Sequence, residues 1–165
     1  MLRILRQIHH TGLLSESPTE LEAVGREARR IIDERYSGSL AIRQVDAGSC
    51  NACELEIHAL NNPYYAIERF GFHFVASPRH ADILLVTGPV TRHMEAALLR
   101  TWDAVPAPKW LVAAGDCAAC GGEFGASYAC RGGLSGLLPV DASIPGCPPA
   151  PADLLRGLLS LIRRG

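Results

Sequence analysis

Six cysteines are the residues whose type and spacing could carry chemistry in this sequence. Cys50 and Cys53 have the spacing Cys-x-x-Cys, as do Cys117 and Cys120, and Cys147 stands directly before two prolines. Thiolates bind zinc and iron–sulfur clusters, whereas a reducing compartment would not keep disulfides in a chain of this kind. The alternative is that the thiols are only small buried side chains, so their positions relative to the predicted strands matter.

From residue 39 onward, short apolar strands alternate with amphipathic helices, a pattern typical of a parallel sheet covered by helices. The sequence therefore predicts an α/β fold. The predicted strands are residues 39–45, 72–76, 83–87, 109–113 and 138–141. The predicted helices are residues 54–70 (with a kink near 61–63), 92–102 and 152–163. Too few residues separate the second and third strands for a helical crossover, so the second strand is predicted to lie at an edge of the sheet.

Cys50, Cys117 and Cys147 each follow a predicted strand through a short segment that contains glycine. Because the carboxyl ends of parallel strands meet at one edge of a sheet, these thiols should converge there, and Cys53 shares the loop of Cys50. The two Cys-x-x-Cys pairs are too far apart for a zinc ribbon, and a final Cys-Pro is frequent in iron–sulfur sequences. A [4Fe–4S] cluster is therefore favoured over zinc, and in the second pair the spacing alone allows either Cys117 or Cys120 as ligand.

Composition and charge exclude several other classes of protein. The 165 residues are 48 % hydrophobic and 20 % charged, which indicates a folded chain. A net charge of -1 provides no general attraction for nucleic acid. The apolar runs are too short to span a membrane, and the first residues lack the features of a signal peptide, so a cytosolic location is expected.

The first 37 residues are predicted to be a helical extension that precedes a cluster-binding domain over residues 38–165. Ser17, Pro18 and Glu20 form a helix start, with a cap, a proline at the first helical position and a capping-box glutamate. The basic, amphipathic residues 1–10 before it are either another helix packed on the domain or an arm that docks on a partner. The sequence leaves both interpretations open.

Five segments, in order along the chain, resemble the small iron–sulfur subunit of membrane-associated group 4 [NiFe] hydrogenases, in particular the formate hydrogenlyase type. This subunit is homologous to the 20 kDa subunit of respiratory complex I, the NADH-quinone oxidoreductase. The matching segments are residues 48–57 (GSCNACELEI), 77–82 (SPRHAD), 86–88 (VTG), 117–122 (CAACGG) and 140–149 (VDASIPGCPP).

The resemblance implies a flavodoxin-like domain with one [4Fe–4S] cluster, whose ligands would be Cys50, Cys53, Cys117 and Cys147. Of the two glutamates after the first pair, Glu56 is the stronger candidate for a proton relay, the alternative being a solvated first helical turn. The family places the cluster beside the catalytic site of a large subunit. The chain would then be an electron-transfer subunit of an oxidoreductase complex and no complete catalyst alone.

Hydrogenase members of the family have Cys-x-x-Cys where complex I members typically have two adjacent cysteines, which favours hydrogenase here. The alternative is a complex I-like 20 kDa subunit that passes electrons to quinone, and a zinc-stabilised interaction module is an alternative from another class. The implied partners are the large subunit, a ferredoxin-like iron–sulfur subunit and membrane-arm subunits, without nucleic acid. The implied location is peripheral, on the cytoplasmic side of the inner cell membrane.

Overall fold

A five-stranded parallel sheet forms the centre of the protein, in a computed structural model that describes residues 18–164. Its strands are β1 (Leu40–Asp46), β2 (Phe72–Phe74), β3 (Ile83–Thr87), β4 (Trp110–Ala114) and β5 (Ala142–Ile144). They lie in the order β2-β1-β3-β4-β5, and all neighbouring pairs are parallel. This is the strand order of flavodoxin-like folds. The predicted α/β class with a mainly parallel, helix-flanked sheet is therefore confirmed.

The edge position of β2 is also confirmed, and a single 3₁₀ turn, Pro78–His80, lies in its connection to β3. The prediction of the last strand over residues 138–141 is wrong. Leu138 packs against the hydrophobic core instead, while Asp141 exchanges hydrogen bonds with the backbone of Leu111 at 2.7 and 2.9 Å. Because this half-buried leucine packs against the core, the segment stays off the sheet and the strand forms just beyond it, at Ala142–Ile144.

Five α-helices accompany the strands in the described residues: α1 (Pro18–Arg35), α2 (Ala52–Ala59), α3 (Arg92–Ala104), α4 (Asp116–Cys120) and α5 (Pro151–Arg164). The predicted helix over residues 54–70 is wrong beyond Ala59. The Asn62 side chain accepts hydrogen bonds from the backbone amides of Tyr64 and Tyr65, both at 2.9 Å, and Ala66 has a left-handed φ of 42°. This turn interrupts the helix, and a 3₁₀ helix, Ile67–Phe70, leads into β2.

Two hydrophobic cores lie on opposite faces of the sheet. One joins α1 and α5 to the sheet, with Ala28, Ile32 and Leu154 completely buried, and the other lies under α3, around Leu98. The bounds of α1 agree with the predicted helix start at Pro18, whereas Ser17 and residues 1–10 lie outside the described residues. The division into an extension over 1–37 and a domain over 38–165 stays a prediction. Over residues 18–164, no helix combines the length and the apolar character that crossing a membrane requires.

Candidate metal centre

The loop after β1 positions the first pair of cysteines. The Asp46 side chain accepts hydrogen bonds from the backbone amides of Gly48 and Ser49, both at 2.7 Å, which turns the chain sharply at the end of the strand. Cys50 follows this turn and is exposed, whereas Cys53 lies in the first turn of α2 and is buried. A tight turn and a helix start thus present both sulfurs at the carboxyl edge of the sheet.

The third and fourth cysteines lie in two loops that are bonded to each other. Cys117 lies in α4, directly after β4, and Cys147 follows β5. The backbone amide of Asp116 donates to the carbonyl of Gly146 at 3.0 Å, and the amide of Gly146 donates to the Asp116 carboxylate at 3.0 Å. Cys117 is buried and Cys147 is exposed, so this pair, like the first, combines one buried and one exposed cysteine.

The electrostatics of the thiols show that these four sulfurs are neighbours. Burial raises the pKa of Cys53 to about 12, with further contributions from the Glu54 carboxylate and then from Cys117, Cys50 and Cys147. Burial likewise raises the pKa of Cys117, with contributions from Cys147 and Cys50. A hydrogen bond with the Cys147 side chain also raises the pKa of Cys117, whereas a backbone hydrogen bond at Glu123 lowers it. The structure therefore brings Cys50, Cys53, Cys117 and Cys147 together.

Two glycines form a cradle around the buried sulfurs. A β-carbon on Gly115 would lie 2.8 Å from the Sγ atom of Cys53, and one on Gly122 would lie 2.9 Å from the Sγ atom of Cys117. Both glycines also have positive φ angles, 87° and 50°, which L side chains rarely adopt. Backbone contact with both sulfurs thus requires glycine at both positions.

The donor set fits an iron–sulfur cluster, since such clusters are held by cysteine thiolates against closely approaching backbone. Over residues 18–164, no three His, Cys, Asp or Glu side chains are grouped around a point that would hold a single metal ion. Cys120 is exposed, and its Sγ atom donates to the carbonyl of its own helix at Asp116, 3.4 Å away. Cys130 is half-buried in a later loop.

Two residues at this edge are less conspicuous in the sequence than the cysteines. Asp116 joins the loops of Cys117 and Cys147, and only its place between a glycine and a cysteine hints at such a role. Glu54 is buried, at 7 % exposure, whereas Glu56 is half-buried. Helical spacing from Cys53 to Ile57 and Leu60 is the signal that could have placed Glu54 beside the buried face of α2. The candidate relay role of Glu56 stays a prediction.

Large apolar side chains are exposed on α2 and on the loop after α4. Leu55, Phe124 and Tyr128 have 61 %, 54 % and 93 % of their surface exposed. Leu134 follows later in the same loop. Leu134 is completely buried, however, and belongs to the core under α3.

A family model matches most of the chain. Residues 50–161 match the family model described as NADH ubiquinone oxidoreductase, 20 Kd subunit. The chain belongs to this family. The matched region runs from Cys50 past Cys147 and includes all four neighbouring cysteines. The resemblance inferred from the five sequence segments is thereby confirmed at the level of the family.

Several relatives are subunits of oxidoreductase complexes. Formate hydrogenlyase subunit 7 of Escherichia coli is 50 % identical over 75 % of this chain and 49 % of its own length. A probable membrane-bound hydrogenase subunit of Pyrococcus furiosus is 43 % identical over 73 % and 72 % of the two chains. A subunit of the F(420)H(2) dehydrogenase of Methanosarcina mazei is 44 % identical over 66 % and 59 %. The chain thus spans about half the length of the formate hydrogenlyase relative.

Two solved structures have a similar fold. A chain of the membrane-bound sulfane sulfur reductase, an archaeal respiratory membrane complex, has a TM-score of 0.66 at 29 % identity and covers 91 % of this chain and 78 % of its own. A chain of an NAD+-reducing [NiFe]-hydrogenase has a TM-score of 0.58 at 19 % identity, covering 76 % and 92 %. The second likeness concerns the fold alone.

Proposed function

We propose that this chain is an electron-transfer subunit that binds one [4Fe–4S] cluster through Cys50, Cys53, Cys117 and Cys147, next to the catalytic site of a group 4 [NiFe] hydrogenase large subunit. The observation that carries the proposal is the convergence of these four thiols at the carboxyl ends of β1, β4 and β5, where hydrogen bonds between Asp116 and Gly146 join the last two cysteine loops. A bound cluster of this type supplies one-electron transfer.

The residues of the chain prepare the site for such a group in three ways. The four thiols give up their protons to bind metal, so the raised pKa values of Cys53 and Cys117 make binding a proton-releasing process. Gly115 and Gly122 keep the backbone in contact with the buried sulfurs. The hydrogen bonds between Asp116 and Gly146 fix the relative position of the last two ligands.

Two observations favour the hydrogenase branch over the alternative. The first pair of cysteines has the spacing Cys-x-x-Cys, and the formate hydrogenlyase relative is 50 % identical. The alternative is a complex I-like 20 kDa subunit that passes electrons to quinone, and it is favoured by the 44 % identity to the F(420)H(2) dehydrogenase relative. Both functions use the same four cysteines and differ in the large subunit.

The proposed partners cover the exposed apolar side chains. Leu55 lies in the helix of Cys53, and Phe124 lies in the loop that follows the helix of Cys117, so a subunit seated on them would also cover the metal centre. We propose that this subunit is the catalytic large subunit, with a ferredoxin-like iron–sulfur subunit and membrane-arm subunits completing a complex. Within it, the chain would lie peripherally on the cytoplasmic side of the inner cell membrane.

The test is anaerobic purification of the complex from cells that express a tagged form of this chain. We expect a brown preparation, about four iron and four sulfide per chain, and an EPR signal after reduction with dithionite. Nickel in the co-purified large subunit identifies the hydrogenase branch, whereas quinone reduction without nickel identifies the alternative.

A matched control distinguishes iron in the cluster from metal that is bound nonspecifically. Cys130→Ser changes a thiol outside the group of four and should retain the full iron content, whereas Cys53→Ser should lose it. A colourless complex that contains one zinc per chain would contradict the proposed function and support the zinc-stabilised module instead.

A further inference from the structure

Glu54 is a buried carboxylate with no partner among the residues that the structure describes. It is 7 % exposed, and neither Oε1 nor Oε2 has a hydrogen-bond partner. A buried carboxylate without a donor is unfavourable, since its charge has lost its water and gained nothing in return. The hydrogen bonds within the described residues therefore give no reason for glutamate at this position.

The position of Glu54 beside a proposed metal ligand supplies such a reason. It follows Cys53 directly in the first turn of α2, and both side chains are buried. The carboxyl group of Glu54 is therefore held out of water, one residue along the chain from a proposed metal ligand.

We propose that the Glu54 carboxylate lowers the reduction potential of the metal centre, an inference that rests on the proposed function. Reduction adds one electron and no atoms to the site, so it increases the negative charge next to a fixed carboxylate. In a buried site, poorly screened by water, this repulsion favours the oxidised state. Glu54 acts through space and is not a ligand, which makes it a tuning residue for electron transfer.

Glu56 provides a matched comparison on the same helix. It carries the same charge, lies two residues further along α2 and is only half-buried, so water screens its carboxylate better. If net charge alone mattered, removing either glutamate would have the same effect. The structure assigns the larger effect to Glu54.

The experiment is a dithionite titration of the purified complex, followed by EPR, which gives the midpoint potential without reference to turnover. Glu54→Gln should shift the midpoint to a more positive value at unchanged iron content. Glu54→Met, a neutral residue better suited to a buried site, should shift it in the same direction and serves if the glutamine variant folds poorly. Glu54→Asp keeps the charge and should stay close to wild type, as should Glu56→Gln.

The outcomes separate this inference from the proposed function. A wild-type complex without a cluster would overturn both. A full cluster whose midpoint is the same in wild type, Glu54→Gln and Glu54→Met would overturn the inference alone. Equal shifts in Glu54→Gln and Glu54→Asp would overturn it too, because they would assign the effect to packing and not to charge.

Discussion

Asp116 and Gly146 form a reciprocal pair of hydrogen bonds, each 3.0 Å long, between the loops that carry Cys117 and Cys147. One bond joins backbone to backbone, and the other joins the Gly146 amide to the Asp116 carboxylate. The two cysteines are 30 residues apart in the sequence, so their relative position depends on this junction and on the β4–β5 pairing behind it.

Asp116→Ala removes the carboxylate acceptor and leaves the Gly146 amide without it. We expect a loss of about 1–3 kcal/mol in the free energy of unfolding, since the part-buried Gly146 amide loses its hydrogen-bond acceptor. Iron should also be lost faster during anaerobic gel filtration. Urea unfolding and iron analysis check the two effects, and Asp116→Asn, which keeps an acceptor oxygen, should lie close to wild type. Equal losses in both variants would contradict this role of the side chain.

Gly136, a glycine with a similar φ angle, provides the control for Gly115→Ala as a test of the cradle. Gly115 and Gly136 have φ angles of 87° and 84°, which L side chains rarely adopt, so alanine strains the backbone at both positions. Only at Gly115 would the new β-carbon collide, 2.8 Å from the Cys53 Sγ atom, whereas nothing lies within 4 Å at Gly136.

We therefore expect Gly115→Ala to abolish iron binding and Gly136→Ala to retain it. Iron and sulfide per folded chain are the measurement. If both variants bind iron equally well, contact between the Gly115 backbone and Cys53 is not needed at the site.

The metal-free chain should lose stability in alkaline solution because of Cys53. Folding raises the pKa of this thiol from 9.0 to about 12, so the folded state keeps a proton that the unfolded state releases. The stabilisation is complete below pH 9, and it is lost as the pH rises from 9 towards about 12. Anaerobic urea unfolding at about pH 8 and about pH 10.5 should show the decrease. Cys53→Ala should reduce the decrease, while Cys130→Ser should retain it, and an equal slope in all three proteins would contradict the assignment.

The sequence predicted the fold correctly where the local hydrophobic pattern agrees with the packing of the side chains in the structure. The strand at residues 83–87 is buried along its whole length, and its apolar run predicted its bounds correctly. The segment at 138–141 was also predicted as a strand, but Leu138 contributes to a core and not to the sheet. The helix predicted over 54–70 failed at Asn62, where a side chain bonds the backbone in place of a helical carbonyl. Both errors arise because contacts distant in sequence, or a turn bond, override local periodicity.

The candidate site was predictable in part, because the ends of the strands determine where the cysteines lie. Strand ends followed by glycine and cysteine indicated which edge of the sheet would collect the thiols, and the structure brings Cys50, Cys53, Cys117 and Cys147 together there. The burial of Glu54 could not be predicted with the same ease. It depends on how α2 is rotated against its neighbours, and only the spacing of Ile57 and Leu60 from Cys53 indicates that rotation in the sequence.

The exposed apolar side chains near the cysteines should be required for assembly. Leu55→Glu places a charge in the proposed contact with the large subunit and should reduce its recovery in pull-down at least tenfold, which corresponds to about 1.4 kcal/mol. Ala23→Glu, on the exposed side of α1, adds the same charge elsewhere and should leave recovery unchanged. Unchanged recovery for Leu55→Glu would place the partner on another surface.

The last prediction distinguishes the ligands among the cysteines that follow β4. Cys117→Ser should lose the cluster, because it removes a metal bond that is part of the folding free energy of the loaded protein. Cys120→Ser and Cys130→Ser should each keep a complete [4Fe–4S] signal. Cys120 is exposed, and its Sγ atom makes only a long hydrogen bond to Asp116, so serine replaces it at the cost of a minor contact.

Iron analysis and EPR on the three serine variants decide between the two thiols of the second Cys-x-x-Cys pair. Cys117 interacts with both Cys147 and Cys50, which is the relationship a shared cluster requires of its ligands. If Cys120→Ser lost its iron while Cys117→Ser kept it, this assignment would be wrong, and the helix α4 would have to turn its other sulfur towards the centre. If all three variants lost iron, the substitutions would act by disturbing the folding of the loop. The distinction between Cys117 as a ligand and Cys120 and Cys130 as non-ligands would then fail.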